Sequence, residues 1–292
     1  MEIFIVDAFT NRIFGGNQAG VVLLDDAAFP EDALMQKIAA ELRHSETTFV
    51  RRHDRTTFDL RYFTPRGEVP LCGHATISAF SVLRDQKIIA CGNVLARTAT
   101  GELSVVLEAE KVWLEMPAGE IVKTLSADEA ARLYAAYNLD PTVQPANLQP
   151  AVAKVGLADI LLPVDCKEAL DHAIQNREAV IQLSRELGLI GVHMFFCPAV
   201  GAVTAFCRNF APLFGIDEEA ATGTSNAALS YYLYTQGLIA KNSVNAIVQG
   251  QALGKPSSIY SKIANNGVIW IGGSAVVSMR GSIAIESVFP KV

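Results

Sequence analysis

Two stretches of this chain carry no charge and are apolar on nearly every side, 75–83 (Ala-Thr-Ile-Ser-Ala-Phe-Ser-Val-Leu) and 227–234 (Ala-Ala-Leu-Ser-Tyr-Tyr-Leu-Tyr). A surface helix shows one apolar stripe, so a helix without a polar face must be enclosed. The stretches around them read as strands. In Thr57–Phe63, Phe58, Leu60 and Tyr62 alternate with Asp59 and Arg61, the period of a half-buried strand. Ile3–Val6, Gly20–Leu24, Thr47–Arg51, Gly101–Glu108 and Lys111–Met116 complete the strands of the first half. Between them, Glu31–Arg43 is amphipathic: Leu34, Met35, Ile38, Ala39 and Leu42 form one stripe, and Glu31 and Asp32 suit the positive end of a helix. The second half has the same grammar. Helices are expected at Cys166–Gln175 and Ala179–Leu187, then a strand pair, Val192–Cys197 and Val203–Phe210. The enclosed helix Ser225–Tyr234 follows, ended by Gly237, and then strands at Asn245–Gln249, Ser258–Ile263, Gly267–Gly272 and in the tail. Too few helices alternate with strands for a βαβ architecture, so the class is α+β. The expectation is two pseudo-symmetric lobes, each a strand barrel or sheet wrapped around a central helix. Met116-Pro117-Ala118-Gly119 suits the hinge, giving lobes of 1–118 and 119–292, with the C-terminal tail free to pack back on the first.

A repeated motif supports the two lobes. Phe63-Thr64-Pro65 leads to Cys72-Gly73-His74-Ala75-Thr76, and Phe210-Ala211-Pro212 leads to Thr222-Gly223-Thr224-Ser225-Asn226. The copies lie 147 positions apart (210 less 63) and 150 apart (222 less 72), about half of 292. Each places a glycine where the chain enters its enclosed helix. Free N–H groups and the helix dipole there favour an anion. Two such ends sharing one site would hold a carboxylate. The plainer alternative is that glycine lets the chain turn and Thr224 or Ser225 caps the helix.

Composition narrows the function. Half of the residues are hydrophobic, enough for sizeable cores, and a net charge of −6 without a Lys/Arg cluster argues against nucleic acid. Five scattered cysteines with no CxxC pair fit a reducing compartment. The first residues read as a strand rather than a signal peptide. Leu189–Cys207 is the one segment resembling a membrane span, but Gly191, His193, Pro198 and Gly201 break it into two buried strands. A cytoplasmic protein with no membrane partner is therefore expected, and a homodimer is the default assembly.

Two side chains stand out as candidate chemistry. Glu46 lies in His44-Ser45-Glu46-Thr47-Thr48-Phe49, between the amphipathic helix and a strand. A glutamate among apolar neighbours at a cleft mouth acquires a raised pKa and serves as general acid and base. His74 sits at a helix start, where the positive dipole end disfavours the imidazolium, so a neutral histidine is expected. The alternatives are an ordinary surface carboxylate and a satisfied buried histidine. Glu218 and Glu219 offer a second carboxylate, or a solvated pair. The histidines show no ligand spacing, so neither metal nor cofactor is expected.

In these residues the chain resembles the PhzF-type isomerases, relatives of phenazine biosynthesis proteins. The matching features run in order: Asn17 to Val22, Ser45–Phe49, Phe63–Thr76, Arg208–Gly223, Gln249–Ser257 and Gly272-Gly273. The resemblance implies a diaminopimelate-epimerase-like fold with the site between the lobes. It implies metal-free, cofactor-free movement of a proton between carbons of a small carboxylic acid. Glu46 would carry the proton, His74 would hydrogen-bond the substrate, and Glu219 would supply a second charge. Ser45, Gly73, Gly223 and Thr224 would bind the substrate. The family's Glu-Asp-Pro-x-Thr-Gly-Ser reads here Glu218-Glu219-Ala220-Ala221-Thr222-Gly223-Thr224, and Asn-Pro reads Asn17-Gln18. A carboxylate displaced by about 1 Å costs roughly 10²-fold in rate, so these departures point away from the phenazine precursor as substrate. Two further readings stand beside this one. A two-thiol racemase or epimerase of the same fold needs a cysteine before both glycines, and here Thr222 replaces the second. A non-catalytic protein could keep the fold and bind a small acid without turning it over.

Overall fold

A computed structural model describes residues 1–24 and 28–284 of the chain. By internal contacts the chain divides into two compact units, 116–271 and a discontinuous one made of 1–115 with the segment from 272 onward. The division falls three residues before the hinge expected after 118, and the tail, expected to be free to pack back on the first lobe, belongs to the first unit.

The first unit begins with β1 (Glu2–Ala8), β2 (Asn17–Leu24), α1 (Asp32–Leu42), β3 (Glu46–Arg52) and β4 (Thr57–Phe63). It continues through β5 (Glu68–Val69), α2 (Gly73–Asp85), β6 (Gly92–Thr98), β7 (Gly101–Leu107) and β8 (Val112–Met116). Most neighbours pair antiparallel, but β2 with β3 and β4 with β6 are parallel. Parallel strands need a crossover, and the helices supply it. Helix α1 bridges β2 to β3 and lays Met35, Ile38 and Ala39 on Val22, Phe49 and Phe63. Helix α2 bridges β4 to β6, and every residue from His74 to Leu83 is buried. Its Phe80 ring meets Phe58 of β4 edge-on at 5.8 Å. The charge-free run is therefore the enclosed helix expected of it, entered two residues earlier, at Gly73.

The second unit repeats this plan. After β9 (Glu120–Thr124) and α3 (Ala127–Ala136), β10 (Ala151–Val155) and β11 (Leu157–Val164) lead to α4 (Lys167–His172) and α5 (Arg177–Leu187). Then follow β12 (Val192–Phe196), β13 (Ala205–Ala211), β14 (Ile216–Glu219), α6 (Gly223–Thr235), β15 (Asn245–Gln249), β16 (Ser257–Ile263) and β17 (Ile269–Gly273). Parallel pairs recur here, β11 with β12 across α4 and α5, and β13 with β15 across α6. Helices α3, α4 and α5 bury Leu133, Tyr134, Leu170, Val180 and Leu183 against Leu162, Met194 and Phe210. Helix α6 is enclosed like α2, its start at 223 standing 150 positions after 73.

The last described strand, β18 (Ala275–Ser282), pairs antiparallel with β1 and so belongs to the first unit. The rest of the expected tail lies outside the described residues. The segment 189–207 contains the strand β12 and the start of β13, as its glycines and proline required. Among the described residues no helix is long and apolar enough to cross a membrane. Strand β6 and helix α3 were not read from the sequence, and the helix expected at Cys166–Gln175 shortens to Lys167–His172.

Candidate active site

Helix α2 starts bare. Its N-cap residue, Cys72, has an extended backbone (φ −144°, ψ 116°), and its side chain accepts no capping bond. A capping side chain would occupy one of the N–H groups that a helix start leaves without partners. At Gly73 a Cβ would meet only Leu114 Cδ2, at 3.9 Å, so packing does not demand glycine there. Glycine instead leaves the first turn open.

His74 follows on the same turn, buried, and three elements converge on its ring. Glu46, the first residue of β3, is set level with Ala19 by the parallel β2–β3 register. Its Oε2 lies 3.2 Å from His74 Nε2. Ser45 Oγ is 3.3 Å from the same nitrogen. On the other side, Asn17 Nδ2, at the start of β2, is 3.4 Å from Nδ1. Cys72 Sγ lies 3.4 Å from Nδ1 and 3.9 Å from Nε2. Asn17 is itself held by the loop before it, where Gly16 has φ +59° and a Cβ would sit 2.1 Å from the Ala8 carbonyl oxygen. In the same loop the Phe14 N–H donates to Asp7 Oδ2 at 2.7 Å.

The electrostatics of this cluster differ from the sequence expectation. Burial of Glu46 favours its neutral form, but the hydrogen bond and charge of His74, with Ser45 and Cys72, hold its pKa below the ordinary 4.5. Burial also opposes a charged His74, yet Cys72 and Glu46 raise its pKa well above 6.5. The Cys72 thiol is pushed up by burial and by the Glu46 charge, so at neutral pH it stays protonated. Glu46 is then the charge that retains the His74 proton. A neutral His74 and a raised Glu46 were expected; a carboxylate 3.2 Å away outweighs the half-charge of a helix end, and both directions reverse.

Glu46, Cys72 and His74 each turn one potential ligand atom into a common volume, all within 4.8 Å of one another. These three residues, 46, 72 and 74, have no ligand spacing in the sequence; the fold brings them together. Cys72 and Asn17 are the cluster members that residue-by-residue reasoning did not place there. The available signal for Asn17 was its position directly after the glycine pair Gly15-Gly16, where a loop closes onto a strand.

In the second unit α6 also starts bare: Thr222 is extended (φ −128°, ψ 104°) and gives no capping bond. Ser225 does not cap it either, since its hydroxyl donates to the buried Asp159 Oδ2 at 2.6 Å. The Thr222 hydroxyl donates to Glu219 Oε2 at 2.7 Å, and Gln249 Nε2 donates to the Glu219 carbonyl at 2.8 Å. Thr224, half-buried, takes the helix position that His74 has in α2. Ser45, Glu46, Gly73 and His74 thus gather at the start of α2, and Glu219, Gly223 and Thr224 at the start of α6.

Comparisons with known proteins find relatives over nearly the whole chain. A family model described as phenazine biosynthesis-like protein matches residues 6–281. The uncharacterized isomerase YddE of Salmonella typhimurium is 35% identical over 299 residues, covering 97% of this chain and 98% of its own. A Bacillus anthracis phenazine biosynthesis protein of the PhzF family superposes with a TM-score of 0.86 at 24% identity, covering 98% and 99% of the two chains. A probable proline racemase from Agrobacterium radiobacter shares the fold at 13% identity, with a TM-score of 0.65 over 97% and 93%.

Proposed function

This chain belongs to the phenazine biosynthesis-like family, and from that premise we propose that it moves a proton between carbons of a small carboxylic acid, with Glu46 as the carrier. The coarser statement, an isomerase- or epimerase-like enzyme, already follows from its relatives. The observation that carries the finer one is the contact of Glu46 Oε2 with His74 Nε2 at 3.2 Å beside an uncapped helix start.

The chemistry follows from the charge states. Glu46 is held as a carboxylate and is ready to accept a proton from a carbon next to an electron-withdrawing group. The electron pair left on carbon shifts along the substrate, and the carboxylic acid of Glu46 returns its proton at another carbon, so nothing is consumed. His74, cationic and buried, donates to Glu46 or to the substrate as the negative charge moves from one to the other. The open N–H groups at Gly73 suit the substrate carboxylate. Gly223, Thr224 and Glu219, at the equivalent helix start, are proposed as further substrate contacts. A two-thiol reaction is disfavoured because Cys72 stays a thiol and Thr222 occupies the equivalent position.

The test is solvent exchange. Small carboxylic acids that raise the melting point of the protein are incubated with it in D2O, and deuterium incorporation is followed by NMR. Wild type is expected to label at least one such acid, and Glu46→Gln to label it roughly 10²- to 10⁴-fold more slowly while melting normally. Unchanged labelling by Glu46→Gln would remove Glu46 from the mechanism. Acids that bind but never exchange would favour the non-catalytic binder.

A further inference from the structure

We infer that Glu46, Cys72 and His74 form a binding site for a soft divalent cation of the zinc class, and that an ion bound there blocks the cluster. The inference about binding rests on geometry alone; the inference about blocking rests on the isomerase reading above.

The donor set is the first argument. One carboxylate oxygen, one thiolate sulfur and one neutral imidazole nitrogen are the ligand types that zinc takes, so an ion binding here releases the protons of Cys72 and His74 to solvent. A sulfur and a nitrogen among three ligands select against magnesium and calcium, which require oxygen cages.

Spacing is the second argument. With Zn–N and Zn–O near 2.0–2.1 Å and Zn–S near 2.3 Å, tetrahedral ligands stand about 3.3 Å apart for N and O and about 3.6 Å for S and N. Here Glu46 Oε2 and His74 Nε2 are 3.2 Å apart, and Cys72 Sγ and Nε2 are 3.9 Å apart. All three ligand atoms lie within 4.8 Å of one another.

The surroundings give a third argument. A metal-bound histidine is usually oriented by a partner on its other ring nitrogen. Asn17 stands beside that nitrogen, its side-chain amide 3.4 Å from Nδ1; turned so that its oxygen faces the ring, the amide would accept the Nδ1 proton and leave Nε2 to the ion. Three protein ligands leave a fourth position for water, as in zinc sites that are open to solvent. An ion in this position would engage the oxygen with which Glu46 accepts a proton and the nitrogen with which His74 donates one. It would therefore act as an inhibitor, and a chelator would restore activity.

The experiment titrates the full-length chain, stripped of metal, with Zn²⁺ by calorimetry and with Co²⁺ by absorbance. Thiolate bound to cobalt gives a near-ultraviolet charge-transfer band, which identifies Cys72 as a ligand without any activity assay. One equivalent of ion is expected. Cys72→Ser should abolish the band, and both it and His74→Gln should weaken binding at least 100-fold. The double variant of the exposed cysteines, Cys91→Ser with Cys166→Ser, should bind as wild type does. If a variant melts below wild type, Glu46→Gln takes its place as the ligand deletion. No binding at stoichiometric ion, or one equivalent surviving in both ligand variants, overturns the site. The two readings fail separately: exchange that depends on Glu46 but no ion binding leaves only the isomerase standing. Ion binding without any exchange leaves only the metal site, and loss of exchange on adding a chelator overturns the inhibitory role.

Discussion

Glu46 and His74 keep each other charged, and the pH dependence of their contribution has a definite sign. The folded pKa of Glu46 lies below 4.5, so its contribution to stability is present above that value and is lost as pH falls through the folded pKa. The folded pKa of His74 lies above 6.5, so its contribution is complete below 6.5 and is lost as pH rises through the folded pKa. Their sum is largest between 4.5 and 6.5. The stability advantage of wild type over His74→Gln, measured by urea unfolding across a pH series, should peak in that window and shrink on both sides. A constant advantage from acid to alkaline pH would mean that the two groups are not a charged pair in solution.

At the scale of the element, the two enclosed helices are supported in the same way by different residues. In α2 the Thr76 hydroxyl donates to the carbonyl of the N-cap Cys72 at 2.7 Å and meets the Tyr62 hydroxyl at 2.7 Å. In α6 the residue at the same place is Asn226, whose amide donates to the carbonyl of the N-cap Thr222 at 2.8 Å and to Gln249 Oε1 at 2.7 Å. Tyr62 faces Thr48 across β3–β4, and its counterpart Asn209 faces His193 across β12–β13. His193 joins the second support, 3.0 Å from Asn209 Oδ1 and 3.2 Å from Asn226 Oδ1, and burial lowers its pKa to about 4. Asn226→Ala leaves the Gln249 side chain and a helix-start carbonyl without their partner in a buried setting. It should destabilise by about 2 kcal/mol in urea unfolding, against about 1 kcal/mol for Tyr62→Phe. A loss under a few tenths for Asn226→Ala would show that water replaces the support. The enclosed helices were legible in the sequence because freedom from charge over so long a run has one physical outcome. Helix α3 was not, because its composition is polar and alanine-rich. Its signal was local, Ser126 and Glu129 forming reciprocal N-cap bonds, and the pair is visible in the sequence as a serine followed three residues later by glutamate. Strand β6 escaped because only Val94 and Ala96 of its seven residues are buried. The reversed charge states of Glu46 and His74 were beyond sequence reasoning for a different reason: they depend on a side-chain distance that no spacing encodes.

At the scale of the whole molecule, the two units differ in continuity. Residues 116–271 form one uninterrupted compact unit with its own core around α3, α4 and α5. Expressed alone, that segment should unfold cooperatively in urea; a broad, non-cooperative transition would mean that it needs the rest of the chain. The first unit has no such independence, because β18 pairs with β1. On the ribosome, β1 emerges before its partner β18 by roughly 14–55 s at 5–20 residues per second. Throughout that interval one edge of the nascent sheet stays open to wrong partners. Ile283 N donates to the Met1 carbonyl at 3.0 Å, so an engineered gene could begin at Ser274 and run through a linker into Met1. Such a rearranged polypeptide would deliver both strands together, and it should give more soluble protein than the natural order when chaperones are scarce.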